Sequence, residues 1–377
     1  MLTNRLTRLT TALADQALDA VVIVPGANLR YLLNVSFHPS KRLTLALFSA
    51  AGGRPRIVLP ALELGGVRAQ LGDIAHFYPW TDAAGPTTEL LEAVGQVFRG
   101  RRARIAVEHT VMRVMELRAL ENAGRQLGVE LDIVDATPLL AQMRMVKDAD
   151  EQAAMAEAAR IVEQALRNTI AQIKPGVTER QLSHICTQEI MAAGAEGESF
   201  ENLIASGPNS ANPHHNVSDR AFQPGDLIVL DCGAVYRGYA SDITRTVALA
   251  EPTPEARHIY QTVLAANTAA RNFVRPGVTG EQIDRAARDV IAAAGYGDFF
   301  LHRTGHGLGL EINPCHEPPD LVAGSNVPFA MGTTFTIEPG IYIEGVGGVR
   351  IEDDVVITEA GCQSFTTFDR ELMIVPV

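Results

Sequence analysis

The residues in this sequence best placed to do chemistry are four carboxylates and a histidine. Asp231 follows the run Leu227-Ile-Val-Leu230, and Asp242 opens Asp242-Ile-Thr-Arg-Thr. Glu338 stands in Phe335-Thr-Ile-Glu338-Pro-Gly, and Glu352 in Gly348-Val-Arg-Ile-Glu352-Asp-Asp. Each has an apolar, β-branched neighbourhood of the kind that fills buried strands. Desolvation is too costly for buried carboxylates to stay unpaired. They could pair with Arg245 and Arg350, share protons, or bind cations. His306, in Arg303-Thr-Gly-His306-Gly-Leu-Gly, adds an imidazole in a glycine-rich turn where missing side chains permit close approach. Four acids and one imidazole make an oxygen-rich donor set, suited to two divalent first-row ions such as Mn²⁺, Co²⁺ or Zn²⁺. Ions about 3.5–4 Å apart can together hold a hydroxide and polarise a carbonyl.

The elements that must position these groups form a quasi-repeat. Lys174-Pro-Gly-Val-Thr178 returns 101 residues later as Arg275-Pro-Gly-Val-Thr279. Each copy is followed by an amphipathic segment ending in Ala-Ala-Gly, with Ile283, Ala287, Val290 and Ala294 on one face of the second. The carboxylates keep nearly the same offset, 107 residues from Asp231 to Glu338 and 110 from Asp242 to Glu352. This predicts two similar halves about a pseudo-two-fold axis, with the acids converging at the seam. Ahead of the repeat, Asp148 or Asp150 can cap a helix with the stripe Met155, Ala159, Val162, Leu166, Ile170 and Ile173, ending at Pro175-Gly176.

The first third alternates strands and helices. Residues 20–24, the alternation at Leu43, Leu45 and Leu47, and residues 57–59, 104–107 and 131–134 read as strands; residues 88–97 and 111–127 read as helices. No G-x-G-x-x-G follows a strand and no G-x-x-x-x-G-K-[ST] occurs, so the usual phosphate loops are absent. The fold class is therefore α/β (α+β), with residues 1–140 as one domain and 141–377 as the second.

Composition excludes several classes. With 32 Lys+Arg against 44 Asp+Glu, the net charge of −12 opposes general binding to nucleic acid or an anionic membrane. No apolar run approaches the roughly 18 residues of a membrane span. The first nineteen residues, interrupted by Arg5, Arg8 and Asp15, lack a signal peptide's apolar core, so a cytoplasmic protein is expected. Cys186, Cys232, Cys315 and Cys362 are widely spaced and read as unpaired thiols.

Taken together, the motifs resemble those of the pita-bread metallopeptidases, the family of methionine aminopeptidase, aminopeptidase P, prolidase and creatinase. The carriers are Ala205-Ser-Gly-Pro-Asn-Ser210 with His214, Asp231 and Asp242-Ile-Thr-Arg-Thr, Gly305-His-Gly-Leu-Gly, Thr336-Ile-Glu-Pro-Gly-Ile-Tyr342, and Arg350-Ile-Glu-Asp353. The likeness is strong over residues 150–375. It is weaker over the first 140, where Asn28-Leu-Arg-Tyr-Leu-Leu33 resembles the creatinase/prolidase-type N-terminal domain.

The resemblance implies a role for each matching residue. Asp231 would chelate one metal ion, Asp242 and Glu352 would bridge both, and His306 and Glu338 would complete the other. Glu338 would also relay a proton as general base. His214 would contact substrate near the scissile bond. Arg350 and Asp353 would hold the ligands in place, and Tyr342 would lie beside the substrate. The family usually has a second histidine seven residues after the ligand histidine, and here that place is Asn313. We expect a three-residue insertion, so that His316 does the second histidine's work, with Cys315 beside the pocket; the other register would leave the place to Asn313. The implied activity is that of a dinuclear, most readily Mn²⁺-dependent, Xaa-Pro dipeptidase (prolidase) acting on short proline-containing peptides as a homodimer. Xaa-Pro aminopeptidase (aminopeptidase P) is the alternative. A non-catalytic binding protein is disfavoured by the complete ligand set.

Overall fold

The computed structural model describes residues 2–37, 40–98, 100–312 and 315–377. The chain divides into two compact units, Met1–Arg144 and Met145–Val377.

The first unit is built on a six-stranded sheet. In spatial order its strands are His76–Trp80, Arg56–Pro60, Leu45–Ser49, Ala20–Ile23, Arg102–Val107 and Glu130–Asp135. The continuous apolar run Ala20–Ile23 lies inside the sheet and is buried on both faces, as its lack of alternation requires. Helices Thr87–Gly95 and Val114–Leu127 form where the apolar spacing predicts them. The strand His76–Trp80 is an addition to the sequence reading. Its Pro79 cannot donate to a ladder and argues for a loop, but the strand lies at the sheet edge, where one free side makes proline tolerable. The motif around Asn28 forms the helix Ala27–Leu33 and is structural within this unit. Asn28 donates to Glu108 (2.8 Å) and accepts from Arg144 (2.9 Å), while Tyr31 donates to the Met143 carbonyl (2.9 Å).

The second unit opens with the helix Ala149–Ile170, capped by Asp148, whose side chain accepts from Glu151 N while Glu151 accepts from Asp148 N. Met155, Ala159, Val162, Leu166, Ile170 and Ile173 are all buried. The helix ends at Ile170, short of the expected stop at Pro175-Gly176, so Ile173 packs from the turn that follows it.

The quasi-repeat appears as two helix pairs. Ala149–Ile170 packs on Glu179–Ala192, and Pro254–Phe273 packs on Gly280–Ala293. Thr178 and Thr279 make the same capping box, each accepting from a glutamine three residues on. Each pair carries antiparallel strands. The first half has Leu203–Ser206, Leu227–Cys232 and Ile243–Leu249 in that order; the second has Gly305–Gly307, Thr334–Ile337 and Asp353–Thr358. Apolar side chains fill each half: Val162, Leu166, Leu182 and Ile190 pack with Ile228, Leu230 and Ile243 in the first, and Tyr260, Val263, Ile283 and Ile291 with Phe335, Ile337 and Val355 in the second.

Candidate metal centre

The sheets of the two halves deliver the acids to one cavity of about 480 Å³. Asp231 comes from the strand Leu227–Cys232, and Asp242 immediately precedes Ile243–Leu249. Glu338 follows Thr334–Ile337, and Glu352 immediately precedes Asp353–Thr358. His306 sits in Gly305–Gly307, where the register slips between His306 and Gly307 against the strand Glu317–Leu321. What approaches the flanking glycines is backbone: a Cβ on Gly305 would lie 2.0 Å from the Thr336 carbonyl oxygen, and one on Gly307 would lie 2.1 Å from that of Pro318.

Asp242, His306 and Glu352 each offer a ligand atom, all within 4.8 Å of one another. His306 Nε2 is 3.7 Å from Asp242 Oδ2 and 3.5 Å from Glu338 Oε1. Its Nδ1 faces the Gly307 carbonyl at 3.0 Å, so the ring proton belongs there and the Nε2 lone pair points among carboxylate oxygens. Asp231 Oδ1 and Asp242 Oδ1 are buried without a hydrogen-bond partner. Burial raises Asp242 well above the usual carboxylate range, and Glu352 and Asp231 add to it. Burial likewise raises Glu352, with Glu338 and Asp231 adding. Glu338 is pushed by burial up to about 7 despite the nearby Arg350. Burial also holds His306 neutral, with its pKa well below the usual value. Crowded anions, an inward lone pair and unpartnered oxygens together fit divalent cations, and the donor set fits a first-row ion.

A supporting layer fixes the donors. Thr244 Oγ1 donates to Glu352 Oε2 at 2.7 Å and accepts from Arg350 Nε at 3.1 Å. Arg350 also reaches Asp231 Oδ2 and the Tyr342 hydroxyl, the latter at 2.9 Å. Asp353 is fully buried between Arg245 and Arg370; Arg245 also donates to the Glu352 carbonyl, so Asp353 acts on the backbone of this segment. It is Asp354 that touches a cluster residue, accepting from Asp242 N at 2.9 Å. Tyr342 is buried, which pushes its hydroxyl up to about 12.

His214 and His215 have separate surroundings. His214 is exposed and lines the cavity, whereas His215 Nε2 lies 2.8 Å from the buried Glu179. His316 also lines the cavity, with its ring centroid 4.0 Å from that of His306, and Cys315 lies buried at the wall. Asn313 lies outside the described residues, so the alternative register has no geometry to report.

Several groups escaped the sequence reading. Thr244, Thr336 and Asp354 read as ordinary strand residues. His302 and Arg303 flank the glycine-rich motif and line the cavity, yet only the fold brings them to it. His302 is pushed down to about 4 by burial and Arg350, and its Nε2 faces the Tyr342 hydroxyl at 2.9 Å.

Known proteins resemble this chain over both of its units. Residues 153–359 match the model of metallopeptidase family M24, and residues 5–146 match the creatinase/prolidase N-terminal domain. The probable dipeptidase PepE of Mycobacterium tuberculosis is 39% identical over 99% of this chain and 96% of its own length. The Xaa-Pro dipeptidase of Lactobacillus delbrueckii subsp. lactis is 33% identical over 99% of each. The crystal structure of a prolidase from Thermococcus sibiricus superposes with a TM-score of 0.92 at 31% identity, covering 100% of this chain and 99% of that one.

Proposed function

The chain belongs to metallopeptidase family M24, and on that premise we propose that it is an Xaa-Pro dipeptidase working with two divalent metal ions at the carboxylate cluster. The observation that carries this reading is the meeting of Asp242, His306 and Glu352 within 4.8 Å, with the His306 lone pair turned inward among acids. The relative named dipeptidase reaches 39% identity with this chain, above the 32% of an X-Pro aminopeptidase from Thermotoga maritima that also aligns almost from end to end, which supports a two-residue substrate.

Asp231 would hold one ion, Asp242 and Glu352 both, and His306 and Glu338 the other. Bound there, the ions would supply Lewis acidity at the scissile carbonyl and make water nucleophilic near neutral pH. Glu338 takes the proton of the attacking water on a carboxylate oxygen and passes it to the leaving nitrogen. That transfer matters here because a proline nitrogen in peptide linkage has no hydrogen of its own. His214, at the cavity wall, donates to the developing oxyanion. Arg350, bonded to Asp231 and Tyr342, would hold the Asp231 carboxylate in place for the ions.

Manganese is the first metal to test, since an oxygen-rich set with one imidazole suits it. We assign the protein to the cytoplasm as a homodimer. Four free cysteines and the lack, among the described residues, of a helix long and apolar enough to cross a membrane are compatible with that compartment.

The test is hydrolysis of Ala-Pro beside Ala-Pro-Ala and Met-Ala-Ser, after dialysis against a chelator and return of Mn²⁺. Cleavage of Ala-Pro alone is the expected result. Cleavage of the proline tripeptide as well would make the protein an Xaa-Pro aminopeptidase. Silence on every peptide with metal bound would overturn the peptidase substrate assigned here.

A further inference from the structure

Arg303 and His316 share the cavity wall, and their contact has a chemical direction. Arg303 Nη2 lies 2.9 Å from His316 Nδ1. A guanidinium carries donors only, so Nδ1 must accept. A ring that accepts at Nδ1 is neutral and carries its proton on Nε2. Arg303 is itself held in place, because its Nη1 donates to Asp320 Oδ1.

The neighbouring ring is set the other way. His306 Nδ1–H donates to the Gly307 carbonyl at 3.0 Å, which leaves the lone pair on Nε2. The two centroids are 4.0 Å apart, so adjacent imidazoles hold opposite tautomers. One offers an acceptor and suits a cation. The other offers a donor and suits an anion, such as the oxygen of a tetrahedral intermediate.

The geometry points to Arg303 as the positioning residue that locks His316 in its Nε2–H tautomer, making His316 a hydrogen-bond donor to the oxyanion and not a base. This deepens the peptidase reading and rests on it. Without Arg303 the proton can move to Nδ1, and a ring facing the substrate with a bare Nε2 would repel the oxyanion.

Arg303→Met is expected to lower kcat on Ala-Pro by about 10- to 100-fold with KM changed by less than about threefold, since the lost interaction belongs to the transition state. Arg303→Lys retains a donor and should recover part of that loss. In a His316→Ala background, Arg303→Met should cost less than about twofold more, because a residue acting through His316 has nothing left to act on. Metal content should be unchanged throughout.

A second measurement does not depend on turnover. In the full chain loaded with diamagnetic Zn²⁺, the ¹⁵N shifts of the His316 ring, identified by their loss in His316→Ala, should show Nε2 protonated and Nδ1 bare. Full activity in Arg303→Met, additive losses in the double variant, or a proton on Nδ1 would each overturn the inference. Should Arg303→Met fail to fold, the ring shifts of the unmodified chain decide it. Should the unmodified chain cleave no Xaa-Pro peptide, the functional reading fails, while the ring shifts still decide the tautomer.

Discussion

Glu179 is the first residue of its helix and accepts from both the backbone N–H (2.8 Å) and the hydroxyl (2.7 Å) of Ser206. At the matching place in the second half, 101 residues on, stands Gly280. There the equivalent grip comes from Asp284, one turn further along, which accepts from Thr304 N (3.2 Å) and Thr304 Oγ1 (2.7 Å). The reason for the shift is steric. A Cβ at Gly280 would lie 2.2 Å from the Asp320 carbonyl oxygen, so no side chain fits where the first half has its carboxylate. Both grips steady a segment that feeds the cavity. Glu179 also accepts from Asn209, His215 and Ser218, and so pins both ends of the loop bearing His214. Thr304 lies two residues before His306, and its carbonyl accepts from Glu338 N. A buried carboxylate gripping a hydroxyl residue is thus common to the halves, whereas its position on the helix follows local packing.

The largest expected effect falls on the acids that the grips serve. Replacing Glu338 by Ala removes a ligand and a proton relay together, and kcat on Ala-Pro should fall by at least about 1000-fold. Near-normal turnover, with metal content verified, would mean that the second half contributes structure and not chemistry.

The anchors come next. Glu179→Ala leaves several buried donors without an acceptor and should cost roughly 3 kcal/mol or more in urea unfolding; Asp284→Ala, with fewer partners beside it, should cost about 2 kcal/mol. Equal losses would mean that the extra partners of Glu179 add no stability. Acid unfolding separates the two carboxylates further. Burial pushes the Glu179 carboxyl up, but hydrogen bonds from Ser218, Ser206, Asn209 and His215 outweigh this and hold it at about 2, below its ordinary 4.5. The folded value is the depressed one, so the stabilisation is complete above about pH 4.5 and is lost as pH falls toward 2. Roughly 3 kcal/mol is at stake in that window. Glu179→Gln should flatten the acid limb between those values, and an unchanged limb would remove Glu179 from the account. Gly280→Ala should cost about 2 kcal/mol by forcing the Asp320 backbone aside, and a neutral result would deny the steric reason given for the shift.

Much of the centre could be read from the sequence because its signals are local. An acid inside a β-branched run announces itself, as Asp231 and Glu338 do, and Pro-Gly-Val-Thr repeats reveal a duplicated turn and helix. Glu179 could not be read this way. A glutamate after a capping threonine is what any exposed helix start would carry, and only contacts 27 and 39 residues away give it a role. The buried pair of Lys147 and Glu317 is likewise invisible, since 170 residues separate its members. The strand His76–Trp80 is not legible either, because Pro79 fits a strand only at an edge and the sequence does not say which strand is one.

The smallest expected effect separates two threonines, each two residues from a cluster acid, Thr244 from Asp242 and Thr336 from Glu338. Thr244 gives Glu352 a 2.7 Å bond and takes one of 3.1 Å from Arg350, so it ties an acid of the second half to the first. Thr336 stands 3.4 Å from Glu338 Oε1 and accepts from His306 N at 3.2 Å, contacts that stay within its own half and are longer. Valine at 244 should weaken metal affinity by about 10-fold, because Glu352 loses a donor that orients it; valine at 336 should change it by less than about threefold. Metal titration of the two variants checks the order. If Thr336→Val proves the more damaging, the acids are held chiefly within each half, and the hydroxyl crossing between them is incidental to metal binding.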